Sequence, residues 1–135
     1  MMKSRAWIAA LGCAVIALAL SSPALAQAKS PTDAYLAFAK AAPKATSLDT
    51  LLPFLSKVYR GNLSSQPAEK KPVWLQRLKD SVDMTDMKIT KETITGDKCT
   101  LEGTAKGKSG LPLKGKVFLL KEDGEWKLDE QVWST

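Results

Sequence analysis

Val117-Phe118-Leu119-Leu120-Lys121-Glu122-Asp123-Gly124-Glu125-Trp126-Lys127-Leu128 decides how the chain folds. Two strand-like runs meet at Asp123-Gly124, a dipeptide suited to the positive φ angles of a two-residue hairpin turn. Such a turn pairs Glu122 with Glu125, Lys121 with Trp126 and Leu119 with Leu128. One face then carries Leu113, Val117, Leu119, Trp126, Leu128 and Val132, a candidate core. The other carries Phe118, Leu120 and Trp133 among Lys114, Lys116, Lys127 and Asp129. A three-residue turn with Gly124 in a bulge would slip the pairing by one and set Phe118 and Leu120 against Trp126 and Leu128. The first register is preferred because it makes the longer apolar face. Both registers leave apolar residues on the second face, so the sheet is expected to be covered or lined on both sides.

Reading backwards from the hairpin, period-two segments continue. Met87 to Thr95 is rich in β-branched residues, Gly96-Asp97 makes a turn, and Lys98 to Ala105 alternates Cys99, Leu101, Gly103 and Ala105 with polar residues. A basic connection, Lys106 to Gly110, leads into Leu113 through Lys121. Four strands joined by short turns predict an antiparallel meander.

The segment before Asp86 has helical spacing instead. Ser30 caps, Pro31 suits the first helical position, and Asp33 faces the positive helix end. Tyr35, Phe38, Ala39 and Ala42 share one face, and Pro43 stops the run. Ser47-Leu48-Asp49-Thr50 opens a second helical stretch through Tyr59, which Pro53 bends or splits, with a stop expected at Arg60-Gly61-Asn62. A polar loop follows. Val73, Trp74, Leu75, Leu78 and Val82 then mark a third amphipathic helix from about Pro72 to Asp83. Helices first and strands second predict an α+β domain, with the helices on one face of a four-stranded sheet.

The first 26 residues read as a secretory signal: Lys3 and Arg5, an apolar run from Trp7 to Leu20, and Ser22-Pro23-Ala24-Leu25-Ala26 before cleavage at Gln27. The run is short for a membrane span, which needs about 20 apolar residues. A lipoprotein reading at Leu11-Gly12-Cys13 is weaker, because the apolar run continues past the cysteine. The expected product is a periplasmic or secreted domain over 27–135, not membrane-embedded after cleavage, of a size for one core. The 20 basic and 14 acidic residues give +6; loss of Lys3 and Arg5 leaves +4. This surplus favours weak contact with anionic envelope polymers or lipid headgroups, on an otherwise solvated mixed-charge surface.

Cys99 is then the only cysteine, without an internal disulfide partner, and reads as a small inward filler. The chain has no histidine, so neither a zinc cage nor a Ser-His pair is expected. Gly107-Lys108-Ser109 lacks the upstream glycine and following helix of a phosphate loop, since Glu102 stands where that glycine belongs. The lysines from Lys106 to Lys116 lack the interleaved aromatics of a nucleic-acid platform, so no nucleic acid is expected as partner.

Ser47 to Ser56, Ile89 to Asp97 and Leu119 to Lys127 together resemble small exported bacterial domains similar to the nuclear-transport-factor-two-like, or cystatin-like, superfamily. The resemblance covers nearly all of 27–135. It implies helices packed in the curve of an antiparallel sheet, forming a cone, on a superfold that hosts enzymes, binding modules and scaffolds. Enzymes of the ketosteroid-isomerase type in that superfamily place an Asp or His base and Tyr or Asp donors inside the cone. Tyr35 and Tyr59 are inward candidates here, with Asp33, Asp49 or Glu102 to recruit, but none matches a family catalytic position. The expected function is therefore a non-enzymatic binding or interaction domain, taking a small apolar ligand or a protein partner through the cone mouth or a sheet face. Tyr35, Tyr59, Trp74, Phe118 and Trp133 are the candidate ligand-contacting residues, with no metal and no cofactor. The alternative is a small-molecule isomerase, cyclase or hydrolase using an unrecognised carboxylate.

Overall fold

A computed structural model describes residues 29–135. The segment 1–26 expected to act as a signal, with Cys13 and the expected cleavage site, lies outside the described residues. The elements run α1 (Pro31–Ala41), α2 (Lys57–Ser64), α3 (Lys71–Asp80), β1 (Thr85–Thr95), β2 (Lys98–Lys106), β3 (Pro112–Glu122) and β4 (Glu125–Ser134), with short 3-10 turns among the helices. The four strands form one antiparallel sheet in the order β1-β2-β3-β4. This is the expected α+β arrangement, a curved meander with helices on one face.

Local chemistry sets the helix starts. Ser30 accepts a hydrogen bond from the Asp33 amide at 3.0 Å, with Pro31 at the first helical position. The Glu92 carboxylate on β1 also accepts from the Thr32 amide (3.1 Å) and donates nothing in return, while the Thr32 hydroxyl donates to it at 2.7 Å. Pro53 splits the second helical stretch as expected: 3-10 turns at Leu48–Thr50 and Leu52–Phe54 precede an extended Leu55, and α2 begins only at Lys57. The expected stop at Arg60-Gly61-Asn62 is corrected. The helix continues through Gly61 to Ser64, because an exposed glycine costs a helix only about 1 kcal/mol.

The hairpin adopts the two-residue register: Glu122 pairs with Glu125, Lys121 with Trp126 and Leu119 with Leu128. Asp123 (φ 53) and Gly124 (φ 81) both take positive φ, the signature of a type I′ turn. The pairing then slips. Phe118 lies opposite Glu130, which leaves Asp129 as the extra residue of a β-bulge. The cause is 73 residues away. The Ser56 hydroxyl donates to Asp129 Oδ1 at 2.8 Å and accepts from the Tyr59 amide at 3.2 Å as the cap of α2. The Ser56 amide donates to the Leu128 carbonyl at 2.8 Å, and Leu55 bridges Leu128 in parallel at the free edge of β4. A fully buried serine thus ties the helix layer to the strand at the bulge.

That slip inverts the expected faces at the end of β4, since a one-residue shift turns every later side chain over. Val132, expected in the core, is 52% exposed. Trp133, expected on the opposite face, packs against the core. Between the helices and the sheet, Tyr35, Phe38, Leu51, Leu55, Leu101, Val117, Leu119 and Leu128 are each buried to 1% exposure or less. Cys99 is buried among them as an inward strand residue. Burial and the Glu92 carboxylate push its thiol up to about 11, so little thiolate forms at neutral pH.

Candidate functional site

The inner end of the sheet holds a closed polar network. Tyr35 Oη donates to Gln131 Oε1 at 2.6 Å and accepts from Trp133 Nε1 at 3.2 Å. Gln131 Nε2 donates to Ser81 Oγ at 2.9 Å, and that hydroxyl donates to the Leu78 carbonyl at 2.6 Å. Burial pushes the Tyr35 hydroxyl up to about 12, against a smaller lowering from its Trp133 hydrogen bond. Each of these side chains has a partner inside the protein, so the network ties β4 to α1 and α3.

The carboxylates considered for recruitment lie elsewhere. Asp33 and Asp49 are exposed at helix starts. Glu102 is on the outer face of the sheet, 3.9 Å from Lys91 Nζ. Among the described residues no group of three or more His, Cys, Asp or Glu is placed to hold a metal ion. No helix among them is long and apolar enough to cross a membrane.

The outer face, opposite the helices, is differently built. Register sets Glu102, Lys116 and Val132 in one row across β2, β3 and β4, and Thr104, Lys114 and Ser134 in the next. Thr100, Phe118 and Glu130 form the row on the other side. The first two rows and Phe118 line an open groove of about 600 Å³, with Phe118 and Val132 as its apolar part and Lys114, Lys116 and Glu102 as its charges. Away from the hairpin tip the face carries Lys88, Lys91, Lys98, Lys106, Lys114 and Lys116 against Glu102 and Glu130. Lys91 and Lys106 are paired, with Glu102 and Asp86. Among the described residues Lys88, Lys98, Lys114 and Lys116 make no salt bridge.

The five aromatic candidates do not gather round one cavity. Tyr35 and Trp133 meet in the inner network. Tyr59 and Trp74 are half-buried against the core, with burial raising the Tyr59 hydroxyl and the Arg77 guanidinium 4.8 Å from the Trp74 ring centre. Phe118 alone of the five lines the outer groove. Sequence reasoning put Lys114, Lys116 and Phe118 on one face but missed Val132. The only local signal for it would have been the Asp129 bulge, whose cause is the distant Ser56.

No family model matches the chain, and no curated protein matches it. Among solved structures it is similar to a Campylobacter jejuni protein described, provisionally, as an NTF2-like transpeptidase. The two share 16% identity at a TM-score of 0.49, over 76% of this chain and 99% of that one.

Proposed function

We propose that this protein is an exported, non-catalytic interaction domain whose working surface is the outer face of the sheet, and that its partner is a polypeptide. The contrast between the two sheet faces carries this reading. Bulky side chains occupy the inner face, and the side chains of Tyr35, Gln131, Ser81 and Trp133 there bond to one another. The outer face leaves an open groove that combines apolar residues with Glu102 and with two lysines that make no salt bridge among the described residues. Export rests on the Lys3–Ala26 segment, with its basic start, apolar run and small-residue cleavage pattern. A periplasmic or secreted location follows from it.

A photo-crosslinking amino acid placed at Val132, and as a control at the exposed Val58 of α2, tests the surface in intact cells of the native host. A discrete protein adduct at Val132 and none at Val58 is expected. Equal labelling at both sites, or labelling at Val58 alone, overturns the assignment of the working face. Mass spectrometry of the recovered protein should give an N-terminus at Gln27, and a lipid-modified Cys13 would overturn soluble export.

A further inference from the structure

The outer groove has a direction as well as a charge. Along β3 the outward residues are Lys114, Lys116, Phe118 and Leu120 in that order. Extended backbone rises about 3.4 Å per residue, so successive outward residues stand about 6.8 Å apart. The row is thus two cations followed by two apolar side chains, at the repeat of one face of any other extended chain. Its flanks are mixed: Thr104 and Ser134 border Lys114, Glu102 and Val132 border Lys116, Thr100 and Glu130 border Phe118, and Leu120 lies beyond the groove between Lys98 and Lys127.

From this spacing we infer that the groove takes an extended peptide segment whose alternate residues read acidic, acidic, apolar, apolar. The inference rests on the reading of this face as the working surface. Charge complementarity selects the occupant. Lys114 and Lys116 make no salt bridge among the described residues, so two carboxylates at matching spacing gain attraction without displacing an existing partner, and Glu102 beside Lys116 offsets only part of that gain, leaving the groove net positive. A second copy of this chain is a poor occupant, because its own lysine-rich face would meet this one and like charges repel. A flat anionic bilayer fits less well, because Phe118 is half-buried within a groove and does not project from a convex surface. The extended chain lies face to face on the sheet, so its side chains supply the specificity.

Fluorescence anisotropy of a labelled synthetic peptide, Asp-Ser-Asp-Ser-Leu-Ser-Leu, titrated with the purified protein, tests this. A control peptide of the same composition, Asp-Ser-Leu-Ser-Asp-Ser-Leu, breaks the division. The first peptide is expected to bind more tightly than the control, and more weakly as salt shortens the screening length from about 14 Å to about 4 Å. Lys114→Glu with Lys116→Glu should weaken it roughly tenfold or more. Phe118→Ala should weaken it roughly fivefold at either salt level. Circular dichroism checks that each variant folds, and Lys114→Gln with Lys116→Gln replaces the charge reversal if that variant does not. Equal binding of the two peptides, or unchanged binding by the lysine variants, overturns the inference. So does binding to phosphatidylglycerol vesicles without binding to the peptide. If the Val132 crosslink forms while the peptides fail to discriminate, the partner pattern is wrong and the working face stands.

Discussion

The indole of Trp133 lies so close over Gly115 that a Cβ built on that glycine would fall 2.3 Å from Trp133 Cδ2 and 2.4 Å from Cε3. The next strand repeats the constraint, since a Cβ on Gly103 would meet the Lys88 carbonyl oxygen at 2.6 Å and Trp133 Cη2 at 3.3 Å. Two glycines side by side on β2 and β3 let one large ring lie flat across the sheet. There the ring nitrogen reaches Tyr35.

Gly115→Ala is therefore expected to push Trp133 off the sheet and stretch its hydrogen bond to Tyr35. Overpacking of this kind costs about 1–3 kcal/mol. For a domain of this size that lowers Tm by roughly 4–8 °C per kcal/mol. Calorimetry measures the loss, and a red-shifted Trp emission should accompany it. An unchanged Tm would show that the indole has room to move, and that the flat packing is not what holds it.

Tyr35 sets an alkaline limit to stability. Its hydroxyl titrates near 10 in an unfolded chain and is pushed to about 12 in the folded one. A raised value means that the folded state holds the proton more tightly. The contribution is therefore complete below pH 10 and is lost as pH climbs through 12. Cys99, raised from about 9 to about 11, acts in the same sense from a lower starting pH. Urea midpoints should fall steeply between pH 9 and 12. Tyr35→Phe should flatten the upper part of that fall. At pH 7 the same substitution removes both hydrogen bonds of the hydroxyl but leaves Trp133 Nε1 donating to Gln131 Oε1 at 3.3 Å, so it should cost only about 1 kcal/mol. A variant with the wild-type pH profile would show that another group governs alkaline unfolding.

Cys99 should be chemically silent while the protein stays folded. It is 3% exposed, and its raised pKa leaves almost no thiolate at pH 8. Labelling by a thiol-specific disulfide reagent should be slow in native buffer and immediate in denaturant, with no covalent dimer under oxidising conditions. Rapid native labelling would mean that β1 opens from the sheet readily.

The parts of this architecture that local chemistry governs were legible in the sequence. Ser30 and Pro31 mark a helix start, Pro53 breaks a helix, and Asp123-Gly124 fixes a two-residue turn and the register of its first four pairs. The face of Trp133 was not legible. Alternation carries the strand pattern forward only until something interrupts it, and the interruption at Asp129 is set by Ser56, which no window around β4 contains. The same distance effect hid the groove. Its lysines and Phe118 are visible as alternate residues of one strand, but Val132 joins them only after the bulge has turned β4 over.

The opening hairpin separates two contributions to stability, turn conformation and packing. Gly124 sits at φ 81 with nothing within 4 Å of where a Cβ would stand, so Gly124→Ala meets only backbone strain, about 1 kcal/mol. Trp126 was expected in the core and is half-buried against its edge, with Lys121 Nζ 5.8 Å from the ring centre. Complete truncation of a fully buried aromatic costs about 3–5 kcal/mol. Partial burial brings Trp126→Ala down to about 2–3 kcal/mol, still above the glycine change. Lys121→Ala, which removes the cation beside the ring, should cost less than about 1 kcal/mol at this exposed position. Urea titrations of the three variants, followed by the remaining Trp fluorescence and by circular dichroism, give the ranking directly. If Gly124→Ala proves the most damaging, the turn and not the packing of Trp126 holds β3 and β4 together.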